Sequence, residues 1–210
     1  FFLLCLVAIA NGCNFIDGMN GLLAFYMLGC LMSCLKLTYI VYDPFNAQII
    51  LVCFILLFFF LLTNFPMGKI FMGDSGAYLM ALLTGVWVIN FFSVYDFISS
   101  WNAALMFFYP TIEVAYSVTR KLLQKKSPFY PDREHLHLKI FDILNTAINR
   151  PRLANNLTTI FLALFWLSPS LILPFVYDNQ ILIITCLVTL SIFYIILNLI
   201  IPAKVSYHDN

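Results

Sequence analysis

Residues 49–63 read IILVCFILLFFFLLT, fifteen positions without a charge, a proline or a glycine. A helix built from this run has no polar face to turn toward water, so its surroundings must be protein or lipid. Crossing a hydrocarbon layer of about 30 Å takes roughly 20 helical residues, so the run is short for a span. Its neighbours are not. Further apolar stretches lie near 21–41, 76–95, 101–119, 157–177 and 181–201, and one more at 1–10 is cut short. The expected architecture is all-α: a polytopic helical membrane protein with about seven transmembrane segments, the first of them truncated.

Composition points the same way. Of 210 residues, 62% are hydrophobic and only 10% charged, with a mean hydropathy of +0.93; soluble domains carry about 25% charge. The 22 Phe and 11 Tyr exclude a disordered chain. A formal net charge of +1 argues against nucleic acid as a partner. The chain opens FFLLCLVAIA inside an apolar run, with neither a basic leader nor a small-residue cleavage site. It therefore reads as one integral membrane domain over 1–210, the C-terminal part of a longer protein. Its six cysteines show no metal-ligand spacing and read as small buried hydrophobes.

If the spans alternate, segments 11–20, 64–75, 120–156 and 202–210 share one side. That side holds Lys69, Arg120, Lys121, Lys125, Lys126, Arg133, Lys139, Arg150, Arg152 and Lys204, ten of the eleven Lys and Arg. The opposite loops carry only Asp43, Asp96 and Asp178, and Lys36 can snorkel from the end of its span. The positive-inside rule makes the basic side cytoplasmic, so the expected location is the cell inner membrane, multi-pass, with the site on its cytoplasmic face.

Three polar stretches lie on that side. In 11-NGCNFIDGMNG-21, Asn11, Asn14, Asp17 and Asn20 recur every third residue, roughly one face of a helical turn. An Asn/Asp/Gly turn capping the next helix is the plain alternative. In 71-FMGDSG-76, Asp74 sits between glycines at the start of a span, either as a helix cap or as a magnesium ligand. Magnesium takes one or two carboxylates and completes its shell with phosphate and water. Asn64 and Lys69 add an amide and a cation upstream. In 127-SPFYPDREHLHLKI-140, within the basic loop 120–156, Arg133, His135, His137 and Lys139 alternate as on an extended strand and could face a phosphate or sugar. Zinc would need further ligands that the sequence lacks. Glu113, in the span 101–119, is a carboxylate at membrane depth within reach of the same end, with a helix–helix hydrogen bond as the equal alternative.

In this order, the three stretches resemble the polyprenyl-phosphate N-acetylhexosamine-1-phosphate transferases of the glycosyltransferase 4 type. These include the initiators of O-antigen, enterobacterial common antigen and teichoic acid, and are related to the peptidoglycan phospho-MurNAc-pentapeptide translocase. The family's N-x-x-N-x-x-D-G-x-D-G-L loop reads here as Asn11, Asn14, Asp17, Gly18, Asn20, Gly21 and Leu22. Its F-x-G-D-x-G loop reads Phe71, Gly73, Asp74 and Gly76. Its His-rich loop reads Pro131, Asp132, Arg133, His135, Leu136 and His137. Asn20 stands where many members carry Asp, and Leu138 where a further His is usual. The family's Asp-Asp pair belongs to an earlier loop, upstream of Phe1.

The resemblance implies transfer of N-acetylhexosamine-1-phosphate from a UDP-sugar, in the expected case UDP-GlcNAc, to undecaprenyl phosphate with release of UMP. It implies Mg2+, or Mn2+ in its place, as cofactor. The implied catalytic residues are Asp17, Asp74 and His135, with Asp74 and Asp17 as metal ligands. Asn11, Asn14, Asn20, Asn64, Lys69, Arg133 and His137 are the implied substrate-binding residues. Expected partners are the UDP-sugar, the polyprenyl phosphate, membrane lipid and a second copy of the chain. Three other readings stay open: a non-catalytic relative, to which Asn20 and Leu138 point; a CDP-alcohol phosphotransferase, which would need acids in the span after Asp17-Gly18; and a transporter, which would place polar groups near the bilayer midplane.

Overall fold

The computed structural model describes residues 2–95, 97–128, 130 and 133–202. Asp96, Pro131, Asp132 and Lys204, used in the sequence reading, lie outside them. The described residues form α1 (Phe2–Ile16), α2 (Leu22–Ile40), α3 (Pro44–Asn64), α4 (Gly73–Val94), α5 (Trp101–Met106), α6 (Phe108–Leu123), α7 (Leu136–Ile148), α8 (Pro151–Val176) and α9 (Gln180–Ile200). No strand occurs among them. Five helices, α2, α3, α4, α8 and α9, are long and apolar enough to cross a membrane, while α1 is a shorter apolar helix.

The expected short span at 49–63 is a full 21-residue helix. Asp43 caps α3 by accepting from the Asn46 N–H at 3.1 Å, and Pro44 occupies the first turn. Proline there loses only an N–H that the helix would leave unpaired. The expected span at 101–119 is two helices instead of one, interrupted at Phe107. Pro110 has no N–H for the Met106 carbonyl four residues back. Inside a bilayer that carbonyl must find another donor, and α2 provides two: the Tyr26 hydroxyl at 2.7 Å and the Cys30 thiol at 3.4 Å. The same device recurs on α8. Pro169 frees the Phe165 carbonyl, which takes the Ser168 hydroxyl at 2.7 Å. Pro174 frees the Ser170 carbonyl, which takes the Ser33 hydroxyl of α2. Polar residues of α2 thus answer two of these three prolines, and α8 answers the third itself.

Helix α2 is the centre, packed against α3, α8 and α4, while α1 lies between α4 and α6. Lipid is as apolar as leucine, so close backbone approach rather than the hydrophobic effect holds such helices together. At the α1–α6 crossing, Gly12 lies so near the Pro110 backbone that a Cβ would have no room. α3 and α9 bury little of themselves and present leucine, isoleucine and phenylalanine outward.

The two ends of the bundle are distinct. At one end Tyr95 donates to Asp43 at 3.0 Å and Asn102 to the Tyr177 carbonyl at 2.9 Å, joining the three short connections. At the other end lie the 17–21 turn, the 65–72 loop and the segment from α6 to α8. The basic stretch 120–156 is not a loop throughout: α6 continues to Leu123 and α7 packs along α8, turned by Asn149 in the left-handed region (φ 53°).

Candidate functional site

Helix α1 ends at Ile16, so Asn11 and Asn14 stand on it while Asp17 and Asn20 belong to the turn beyond. The four do not share one helical face. The Asn11 amide donates back to the Val7 carbonyl at 2.8 Å, and that of Asn14 reaches the Tyr78 hydroxyl of α4 at 3.3 Å. Tyr78 lies one turn beyond Asp74, and this i, i+4 relation is the signal by which sequence alone could have found it.

The turn after α1 meets the start of α4. The Asp17 carboxylate faces the Gly73 N–H and lies near Asp74. Burial pushes its pKa up to about 6; the Gly73 N–H pulls it down and the Asp74 charge pushes it further up. Asp74 is in the first turn of α4, where a helix N-terminus favours a carboxylate, and it is exposed. The helix cap is Met72, so capping is not the task of Asp74.

Asn64 and Asn20 hold this arrangement from below. Asn64 is buried; its Oδ1 accepts from the Gly21 N–H and its Nδ2 donates to the Ile70 carbonyl at 2.6 Å. Gly21 has φ +80°, a left-handed backbone that suits glycine at the start of α2. The Asn20 backbone bonds Asn155 at 3.1 Å and Thr159 at 2.8 Å, both on α8, and its amide lies over Gly68. The amide of Asn64, expected to bind substrate, braces two loops, and the Asn20 backbone ties the turn to α8. Lys69 is exposed on the 65–72 loop.

The third stretch is corrected most. Residues 133–139 are not an extended strand, because α7 begins at Leu136 with His135 as its extended N-cap (ψ 143°). The amphipathic pattern from Leu136 to Ile148 outweighs the local alternation. His137 is 1% exposed and lies under the first turn: a Cβ on Gly18 would stand 2.7 Å from its Nε2. Burial lowers its pKa to about 4, against the raising pull of Glu113, with His135 lowering it further. It is therefore neutral at pH 7 and cannot serve as a cationic clamp; its Nδ1 has no hydrogen-bond partner. Lys139 is buried and donates to the Asn198 carbonyl of α9 at 2.9 Å. Arg133 remains exposed, 3.5 Å from Asp142. His135 packs against Phe15 of α1 at a tilt of 52° with ring centroids 4.8 Å apart, and lies nearly parallel to His137 at 5.7 Å. Its Nδ1 is 3.1 Å from Oε2 of Glu113.

Segments some 60 residues apart thus converge: 14–18 touches 73–78 on one side and 135–137 on the other. Among the described residues no three His, Cys, Asp or Glu are grouped to hold a metal. The Asp17–Asp74 pair fits an ion that takes two carboxylates and fills its shell with phosphate and water, and does not fit zinc.

A multi-pass helical membrane protein with polar connections gathered at one end around two acids is the class these features define. The chain belongs to glycosyl transferase family 4, whose profile matches residues 1–112 and so covers the first two polar stretches. It is 28% identical over 139 residues to an undecaprenyl-phosphate alpha-N-acetylglucosaminyl 1-phosphate transferase of Thermotoga maritima, covering 65% of this chain and 41% of that one. It is 30% identical over 159 residues to a decaprenyl-phosphate N-acetylglucosaminephosphotransferase of Mycobacterium leprae, covering 65% and 39%. A Yersinia pestis protein with the same name as the Thermotoga one is 29% identical over 143 residues, covering 62% and 37%. The chain spans about two fifths of the length of these curated relatives. No solved structure matches it significantly.

Proposed function

We propose that this chain forms the nucleotide-sugar side of a polyprenyl-phosphate N-acetylglucosamine-1-phosphate transferase. A phosphate oxygen of undecaprenyl phosphate attacks the β-phosphorus of UDP-GlcNAc; the bond to UMP breaks, and undecaprenyl-diphospho-GlcNAc remains. The observation that carries the reading is the meeting of Asp17 with Gly73 and Asp74 on one side, while Phe15 and Gly18 touch His135 and His137 on the other.

Asp17 and Asp74 would hold Mg2+, or Mn2+, which when bound neutralises charge on the diphosphate and on departing UMP. Asn14, held by the Tyr78 hydroxyl one turn beyond Asp74, would offer its amide to the nucleotide. Lys69 and Arg133, both exposed, can close on the phosphates from the two flanking segments. His135 lies at the edge of the site with one nitrogen engaged by Glu113. The setting suits a reaction that joins a water-soluble donor to an acceptor confined to the bilayer, and the charge asymmetry of the loops supports a site on the cytoplasmic face of the inner membrane.

The test is Mg2+-dependent UMP release by the full-length gene product in detergent with UDP-GlcNAc and undecaprenyl phosphate. Asp74→Asn should lower it by about 10²–10³, the range for losing one group that stabilises transition-state charge, with membrane insertion intact. Undiminished turnover in that variant removes Asp74 from the site. No UMP release by the native protein favours the non-catalytic relative instead.

A further inference from the structure

Glu113 is a carboxylate 1% exposed on α6, toward the site end of the bundle, and the reaction as described does not use it. Leaving a buried charge without strong partners is costly. Its Oε2 meets Nδ1 of His135 at 3.1 Å, and the hydroxyls of Tyr109 and Tyr194 lie beside the carboxylate. Oε1 and the Tyr109 hydroxyl have no hydrogen-bond partner, so the contact at Oε2, with an N–H as donor, is what compensates an ionised Glu113. An acceptor at Nδ1 requires the proton to be there, which leaves the lone pair on Nε2, at the opposite edge of the ring. The ring also cannot swing freely, since Phe15 packs against it at a tilt and His137 stacks on it.

We propose that Glu113 is a positioning residue that fixes His135 as its Nδ1–H tautomer and so presents Nε2 as the proton-accepting nitrogen at the edge of the candidate site. The inference rests on the transferase reading for its purpose, since Nε2 would take up a proton from an incoming phosphate group. The resulting imidazolium, balanced by Glu113, then donates to the phosphate. For its geometry it rests on the contacts alone.

Two readouts test it. In the 15N-histidine-labelled 210-residue chain in micelles, with His135→Gln assigning the signal, native His135 should show a protonated Nδ1 and an unprotonated Nε2. Glu113→Ala should release it to the Nε2–H form favoured in free histidine or to an exchange average. A native Nε2–H signal, or one that Glu113→Ala leaves unchanged, overturns the proposal. In the full-length protein Glu113→Gln should lower kcat about 10–100-fold, the range for groups that orient a functional residue, with KM for UDP-GlcNAc held and Glu113→Asp recovering part of the loss. An unchanged kcat overturns the positioning role even if the tautomer is as expected. Absence of native turnover overturns the transferase reading, while the tautomer measurement still decides the pairing.

Discussion

Asp17 shows how burial and chemistry compete at a single side chain. Its pKa of about 6 is above the ordinary 3.8, so between those values the folded chain keeps a proton that the unfolded chain has released. Its contribution to stability therefore falls as pH rises through that window and stays lost above it. In metal-free micelles Asp17→Asn should melt higher than the native chain at about pH 7.5, with the difference closing toward pH 4. Mg2+ should reverse the order: an ion bound only by the folded chain raises the native melting temperature by mass action, and Asp17→Asn should lack that gain. A melting temperature of the native chain indifferent to Mg2+ removes the two-carboxylate site. Asp17 was legible from its place in a spaced polar run. The burial of His137 was not, because it depends on α7 folding under a turn more than a hundred residues away.

Among elements, the α1–α6 crossing sets where Phe15 and Glu113 can meet His135. Gly12 against the Pro110 backbone is its closest approach. Alanine at an exposed helix position would gain about 1 kcal/mol over glycine; here the methyl must displace a neighbouring backbone, and overpacking costs about 1–3 kcal/mol. The clash should win, so Gly12→Ala lowers the unfolding midpoint in a denaturing-detergent titration. Equal or greater stability would mean that the crossing is loose. The span boundaries were largely readable because apolar runs have no alternative in a bilayer. The interruption at Phe107 was missed although Pro110 advertised it, since the sequence does not say which distant hydroxyl will answer the Met106 carbonyl. For α7, the reverse held: alternation over seven residues concealed an amphipathic period visible only over thirteen.

For the whole molecule, alternation of spans decides which connections are neighbours. The contacts Asp43–Tyr95 at one end and Asn20–Asn155 at the other agree with that parity. Introduced at exposed positions of a cysteine-free chain, Tyr42→Cys should react with a membrane-impermeant maleimide on intact cells and Lys125→Cys only after lysis. The reverse pattern would turn the proposed site outward. Asn64 has one more consequence, for anyone exchanging parts between relatives. Because a single amide clasps Gly21 with one atom and Ile70 with another, the 17–21 turn and the 65–72 loop are cut to fit each other like lock and hasp. A chimera that imports one without its mate inherits a mismatch, whereas transplanting the pair together carries the fit along.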